Sequence, residues 1–526
     1  MPFRRQGHAL HTGHPEDGGP QWGRGRYGDR GSLRRQLHSQ GTGPGRGVGG
    51  PGERRPPDDL RLPAPRLGHS IRGEIDVHEG RGGLVSIQSW VLRTFPGVLS
   101  RIDSPRRQLK QLRTSVARAQ NSVFYGKRLK EAGVTPGSIR SIEDFTTRVP
   151  VTTREDLLEQ DPYDLLAVKP GSETILYGQT SGSTGNPVPV WATLREMQDG
   201  IVLALALPVF RNNLHPTDRV ALCYPYTRTL AGRSADLLNL MAGCTVIPIG
   251  TRNNMYPPEL AAATINRLRP TILGAAATDA FAYANILRDQ GVDPRKLGIR
   301  LIVSGAEPCA PARAEALGRV YDAKVLSLLG QNEIGFPGIP CELNKMHVPQ
   351  FMMYTELIHP DGSPAQPGER ANTIVTPTFK RAQPLLRYVT GDTVLWDDKP
   401  CECGLPLPTM EILGRAHTVI STNGRSFFPI ELEEALYKAA SLDGVWYQIR
   451  VREDEVLVRA EHRETDQYDQ MASSIESQLS AFTGRKVRVE MITPGTLYDY
   501  RQIRPGKPLS RVVDEVAGTG EVVEGM

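Results

Sequence analysis

The pattern of apolar and polar positions divides the chain into three stretches. Over residues 1–80 no run keeps a helical or strand period. From Pro105 the pattern becomes regular. Leu109, Leu112, Val116 and Ala119 recur at helical spacing, which predicts one helix running on to Lys130 with Gly133 as its stop. Thr152-Thr153-Arg154-Glu155 reads as a capping box in front of Leu157 and Leu158. Short apolar runs then alternate with amphipathic ones. Strands are predicted at 173–177, 219–223, 245–248, 271–274, 300–304 and 324–329, with helices between them, for instance at 259–268 and 311–321. That alternation predicts a parallel sheet covered by helices. After Gly414 the order changes to strands near 446–451 and 455–460, a helix at 468–480 and a strand at 486–491, a small α+β unit. The expected architecture is α/β, with a large N-terminal domain at 85–414 and a small mobile α+β domain at 415–526.

Composition alters this picture in only one place. Residues 1–80 hold 18 of the 53 Gly, 6 of the 11 His, 13 Arg against 9 acidic residues, and no Lys. Such a segment buries too little apolar surface to offset its chain entropy, so residues 1–84 are expected to be a disordered Gly/Arg-rich tail or a misassigned start, with Val85 as the alternative beginning. The remaining 446 residues carry 50 basic and 49 acidic side chains, a balance that offers no overall basic excess to a nucleic acid. The longest strongly apolar run, 201–210, is too short to span a bilayer, so no membrane partner is expected. Six cysteines in 526 residues do not make a disulfide scaffold and point to a reducing, cytoplasmic setting.

Candidate chemistry starts at Thr180-Ser181-Gly182-Ser183-Thr184-Gly185, directly after a predicted strand. Its glycines let backbone N–H groups approach an anion, and its hydroxyls add donors. No Gly-Lys-Ser or Gly-Lys-Thr occurs in the chain, so this is not a Walker loop. Gly305-Ala306-Glu307-Pro308 and Gln331-Asn332-Glu333 each end a later predicted strand, where ligands of open α/β sheets collect. Arg387-Tyr388-Val389-Thr390-Gly391-Asp392, Gly414-Arg415, Phe428-Pro429 and Gly506-Lys507 to Arg511 follow in order.

In this order the motifs resemble the adenylate-forming superfamily and, within it, the phenylacetate–CoA ligase family, from about Ser86 to Glu515. The resemblance implies that ATP activates a carboxylic acid as its acyl-adenylate and that a thiol, coenzyme A first among them, then displaces AMP. It implies that Thr180 to Gly185 cradle the β- and γ-phosphates and that Glu333 holds Mg²⁺. Asp392 would accept the ribose hydroxyls, with Arg415 beside it. Gly305, Ala306, Glu307, Pro308, Gln331 and Asn332 would complete the nucleotide site, and Lys507 would meet the α-phosphate during adenylation. Strand ends near Tyr224, Tyr226, Ala276, Gly335 and Phe336 would receive an aromatic or other planar acid. The chain departs from the family's usual residues at Asn186, Leu329, Asn332 and Ala416. Alternative outcomes are loading of a carrier protein, amide formation, or a non-catalytic nucleotide-binding relative. A homodimer is left open.

A second constellation pairs Cys341 and His347 with Cys401 and Cys403. Three thiols and an imidazole in two short clusters suit a tetrahedral structural Zn²⁺ site, and some members of the resembled family carry a matching one. Cys223, Cys244 and Cys309 lie in apolar surroundings and read as core.

Overall fold

The computed structural model describes residues 104–180, 186–251, 253, 255–422, 424–501 and 511–518, all within one unit spanning Gly80–Met526. The first hundred residues, the loop 181–185 and Lys507 lie outside the described residues, so the expectations placed on them are untested by the fold.

The chain enters through α1 (Pro105–Ala119) and α2 (Val123–Glu131). The single helix expected here is broken at Gln120–Ser122, because the Ser122 hydroxyl accepts the Tyr125 N–H and starts a new helix. Leu112, Val116, Phe124 and Tyr125 still bury in one cluster, which is why the periodicity runs on across the break. The helices α3 (Ile142–Arg148) and α4 (Arg154–Leu158) follow. The capping box of α4 uses Thr153 and Asp156, one residue later than the sequence reading, because Thr152 is engaged elsewhere. The buried Thr152 hydroxyl donates to Leu386 O (2.8 Å) and pairs with the Tyr125 hydroxyl (2.9 Å), which in turn accepts from Leu386 N–H.

A hairpin of β1 (Ile175–Gln179) and β2 (Pro189–Thr193) flanks the loop 181–185. The helices α5 (Leu194–Ala206) and α6 (Pro208–Asn213) lead into a five-stranded, all-parallel sheet. Its strands are β3 (Arg219–Leu222), β4 (Thr245–Pro248), β5 (Ile272–Ala275), β6 (Leu301–Ser304) and β7 (Lys324–Ser327), in the order β4-β3-β5-β6-β7. The connecting helices are α7 (Ala231–Met241), α8 (Pro258–Leu268), α9 (Ala277–Asp289) and α10 (Pro311–Tyr321). From β3 the chain goes out to β4 and returns on the other side to β5. The C-terminal ends of β3 and β5 therefore form the topological switch point at which such sheets bind ligands.

A six-stranded sheet comes next, in the order β10-β11-β12-β13-β9-β8: β8 (Ile339–Pro340), β9 (Met346–His347), β10 (Met353–Ile358), β11 (Arg370–Pro377), β12 (Tyr388–Asp397) and β13 (Thr409–Arg415). After Arg415, β14 (Ile420–Thr422) and β15 (Arg425–Phe427) form a hairpin ahead of α11 (Pro429–Ala439). The four-stranded mixed sheet β18-β17-β16-β19 closes the chain with α12 (Tyr468–Thr483). Its strands are β16 (Tyr447–Val451), β17 (Glu455–Glu461), β18 (Lys486–Ile492) and β19 (Val512–Asp514). One buried core runs from Phe281, Tyr283 and Tyr321 on α9 and α10 into Leu432, Leu436, Trp446 and Tyr447 of the C-terminal stretch. Among the described residues no helix is long and apolar enough to cross a membrane.

Candidate active site

The segment after β7 folds back as a tight turn in which Gln331 and Gly335 exchange backbone hydrogen bonds of 2.8 and 2.7 Å. Gly335 is required there. Its φ is +86°, and a Cβ would meet the Phe379 ring at 3.1 Å. Three residues of this turn are held by groups distant in sequence. Gln331 donates its amide to Asp392 on β12. Asn332 accepts the Leu230 N–H (3.1 Å). Glu333 accepts the Tyr388 hydroxyl at 3.4 Å, and its backbone oxygen accepts the Lys380 ammonium at 2.8 Å.

Asp392 and Arg415 are cross-strand partners on β12 and β13, and Arg415 Nε lies 3.3 Å from Asp392 Oδ1. Arg415 also donates to Thr390 O at 2.6 Å, which fixes the guanidinium against the strand. Burial pushes the Asp392 carboxyl up to about 6, with Glu333 adding to the rise, while Arg415 and Gln331 oppose it. Asp392, Arg415, Gln331 and Glu333 thus form one connected carboxylate-rich corner, as the motif order predicts. The corner can accept hydroxyls and hold a cation beside an anionic ligand.

Thr180 follows β1 and is buried. Its N–H donates to Val188 O (3.0 Å) and its hydroxyl accepts the Val188 N–H (2.9 Å). This side chain closes the base of the 181–185 loop. In the next motif Ala306 takes a left-handed φ of +70°, and Gly305 leaves room for Leu328 O, which a Cβ would meet at 3.2 Å. The Glu307 side chain is taken up by protein partners. It accepts the Thr278 N–H (2.7 Å) and hydroxyl (2.8 Å) and pairs with Arg313 and Arg511. Sequence reasoning placed Glu307 among the nucleotide ligands, whereas here its carboxylate is fully engaged by protein groups.

Of the residues named for the acid, Tyr224 and Tyr226 follow β3 and Ala276 follows β5 at the switch point, while Gly335 and Phe336 belong to the turn after β7. Tyr224 follows β3, is buried, donates to Val303 O at 2.6 Å and fills the space that side chains at Gly274 and Gly305 would need. It acts as a floor. Tyr226 donates to Asp236 at 2.6 Å, Ala276 caps α9, and Phe336 is partly exposed beside Gly330. Lys380 was missed by sequence reasoning. It is buried, and burial lowers its pKa against the pull of Glu196 and Glu333. A lysine between the apolar end of β11 and Ala382 was the available signal.

The sulfur and nitrogen atoms of Cys341, His347, Cys401 and Cys403 all lie within 4.8 Å of one another. His347, paired across to Thr409, hydrogen-bonds through Nδ1 to Leu407 O at 3.0 Å, which turns Nε2 to the Cys403 sulfur at 3.3 Å. Tight turns at Cys341–Lys345 and Cys401–Gly404 bring the thiols in, and Gly404 has φ +79°. Cys223 and Cys244 are buried and Cys309 is half-buried, as expected of core residues.

Comparison with known proteins follows the same lines. Residues 125–355 match the AMP-binding enzyme family. The phenylacetate-coenzyme A ligase of Thermus thermophilus is 29% identical over 369 residues, covering 68% of this chain and 81% of that protein. The one from Pseudomonas putida is 26% identical, covering 75% and 92% respectively. The crystal structure of 2-hydroxyisobutyryl-CoA ligase in its postadenylation state, in complex with 2-HIB-AMP, superposes with a TM-score of 0.68 at 22% identity, covering 78% of this chain and 90% of that one.

Proposed function

We propose that the chain belongs to the phenylacetate–CoA ligase-like branch of the adenylate-forming enzymes, and that its residues divide the work of joining a planar carboxylic acid to coenzyme A as follows. It is an AMP-forming acid–CoA ligase. The acid's carboxylate oxygen attacks the α-phosphorus of ATP and pyrophosphate leaves. The thiol then attacks the acyl carbonyl and AMP leaves.

The observation that carries the assignment is the corner made by Asp392, Arg415, Gln331 and Glu333. Asp392 accepts both ribose hydroxyls through its two oxygens, and Arg415 keeps it ionised in a buried setting. Glu333 is held by a single long side-chain bond, so its oxygens fit a hard cation, and Mg²⁺ bound there would screen the phosphate charge. Thr180 to Gly185 would cradle the β- and γ-phosphates through backbone N–H groups and hydroxyls. Lys507 meets the charge that develops on the α-phosphate, where one preorganised cation is most effective. The residues after Gly414 form a small domain that changes pose between the two half-reactions. The acid lies over Tyr224, between Ala276 and the Gly335–Phe336 turn. The choice of an aromatic or other planar acid rests on the likeness to the phenylacetate-coenzyme A ligases, and the β3/β5 switch point is where sheets of this kind bind ligands.

The donor set of Cys341, His347, Cys401 and Cys403 fits Zn²⁺. The donors are three thiols and one imidazole, and the other imidazole nitrogen is fixed by Leu407 O. All four positions come from protein, so the ion would cross-link loops and take no part in either half-reaction.

The test is a panel of carboxylic acids scored by acid-dependent ATP–pyrophosphate exchange, then by thioester formation with coenzyme A. Exchange with planar acids supports the reading. Absence of exchange with every acid would leave a nucleotide-binding relative without activity, and exchange without coenzyme A transfer would point to a carrier-protein thiol or an amine as acceptor.

A further inference from the structure

The C-terminal stretch rests on the five-stranded sheet through a buried set of charges that neither half-reaction uses. Arg313 on α10 has no exposed surface. Its guanidinium lies 3.3 Å from both Glu307 and Glu433, and it donates to the Thr278 hydroxyl at 3.1 Å. Glu433 on α11 also accepts the Tyr447 hydroxyl (2.8 Å) and the Ala310 N–H (2.7 Å), while Glu434 accepts the Ala312 N–H (2.8 Å). Ala310 starts α10 and offers no side-chain cap, so two carboxylates from α11 serve in its place. Arg511 completes the set. It pairs with Glu307 at 3.1 Å, donates to the Thr278 hydroxyl, and stacks over Trp446 with 4.5 Å to the ring centre.

Two arginines and two glutamates balance, so each charge is compensated where Arg313 and Glu433 are buried and Glu307 and Arg511 keep only a little exposure. Glu307 is the pivot because it alone pairs with both arginines. Its two oxygens face Thr278, Arg313 and Arg511, which leaves no lone pair aimed at a ligand. Burial by itself would raise its pKa, but Arg511, Arg313 and Thr278 outweigh burial and hold the carboxyl down to about 2. Glu307 also lies next to Ala306, whose left-handed backbone shapes the strand-end motif, so any shift of Glu307 is felt there directly. In sequence Arg511 lies four residues after Lys507.

We propose that Glu307 is a positioning residue, which by pairing with Arg511 while sharing Arg313 with Glu433 docks the C-terminal unit in the pose that forms the acyl-adenylate. The proposal rests on the adenylate-forming reading above. Removing the pair loosens the seat of the C-terminal stretch on α9 and α10 without removing any group that touches nucleotide.

The test uses Arg511→Gln, Glu307→Gln and the double variant in the full chain. Each is assayed for ATP–pyrophosphate exchange and, separately, for thioester formation from a chemically synthesised acyl-adenylate and coenzyme A. The expected result is a fall in the kcat of adenylation of about ten- to a hundred-fold, the size that a small misplacement produces. The KM for ATP stays within about two-fold and the thioester step within about three-fold, since neither substrate loses a contact. The double variant is no worse than the poorer single one, because the pair acts as a unit. A raised KM for ATP in Glu307→Gln would return Glu307 to the nucleotide site and overturn the proposal. Unchanged adenylation, additive losses, or equal loss of both half-reactions would overturn it too. If Glu307→Gln fails to fold, Arg511→Gln decides alone, since that side chain sits at the edge of the set. Wild-type protein that shows no acid-dependent exchange would instead refute the adenylate-forming reading, a failure visible before any variant is made.

Discussion

Asp392→Asn separates the stability of this protein from its function, because the wild-type residue is held in the folded state against a physical preference. The carboxyl is nearly buried, and burial with the nearby Glu333 raises its pKa from an ordinary 3.8 to about 6 despite Arg415 and Gln331. A raised folded-state value on a carboxyl works against the fold at neutral pH. Its contribution is favourable below the unfolded pKa and is lost as pH rises through about 6. The difference corresponds to roughly 3 kcal/mol of strain at pH 8, an upper bound on what an uncharged isostere recovers. The variant without ligand should melt a few °C higher than wild type at pH 8, and the gain should shrink at pH 5, where Asp392 is already protonated. Nucleotide use should move the other way. Losing one ionised acceptor for two hydroxyls costs about 1.5–3 kcal/mol, or about ten- to a hundred-fold in kcat/KM for ATP. The wild type should show the same loss on its acid limb, with kcat/KM for ATP falling as pH drops through about 6. Differential scanning fluorimetry at the two pH values, together with pyrophosphate exchange, reads both effects. A variant that melts lower at pH 8 while keeping its ATP kinetics would make Asp392 a structural residue and refute the reasoning.

Three other outcomes are expected. Freshly prepared protein should hold about one zinc per chain by metal analysis, and Cys401→Ser with Cys403→Ser should release it and lower the melting temperature; metal-free wild type would refute the site. Lys507→Ala should slow adenylation by about a hundred- to a thousand-fold while leaving thioester formation from synthetic acyl-adenylate near wild type; equal loss of both would argue against a change of pose between half-reactions. A chain beginning at Val85 should keep the melting temperature and activity of the full chain; loss of either would place residues 1–84 within the working fold.

The parts of the fold that read correctly from sequence were those in which one local pattern has one structural meaning. The parallel strands β3 to β7 are short apolar runs between breakers, and their expected ends lie within two residues of the observed ones. The reading failed where two local solutions were equally good. Thr152 and Thr153 both stand three residues before an acid, and only the tertiary bonds of Thr152 to Tyr125 and Leu386 decide which one caps α4. The helix break at Gln120–Ser122 was hidden for a related reason, since both halves bury into one cluster and the hydrophobic period never lapses. The C-terminal unit read well as elements, but its seat on α9 and α10 did not. Glu307 and Arg511 are 204 residues apart, and no pattern in either neighbourhood announces the other.

That separation explains why motif order could group Glu307 with Asp392 although the structure treats them in opposite ways. Both are carboxylates of the motifs assigned to the nucleotide, and both are largely shielded from water. Glu307 meets two arginines and both donors of Thr278, and its carboxyl falls to about 2. Its favourable contribution is present above the ordinary carboxylate range and is lost as pH falls through that range towards about 2, so at neutral pH it is a fixed charge. Asp392 meets one arginine and one amide, lies near a second carboxylate, and rises to about 6. An acceptor that is underpaired in the ligand-free protein is completed by a ligand's hydroxyls. One that is already saturated gains nothing from a ligand and must act through what it holds. The number of donors around each carboxylate, which the linear sequence does not display, therefore separates a group that binds from a group that positions.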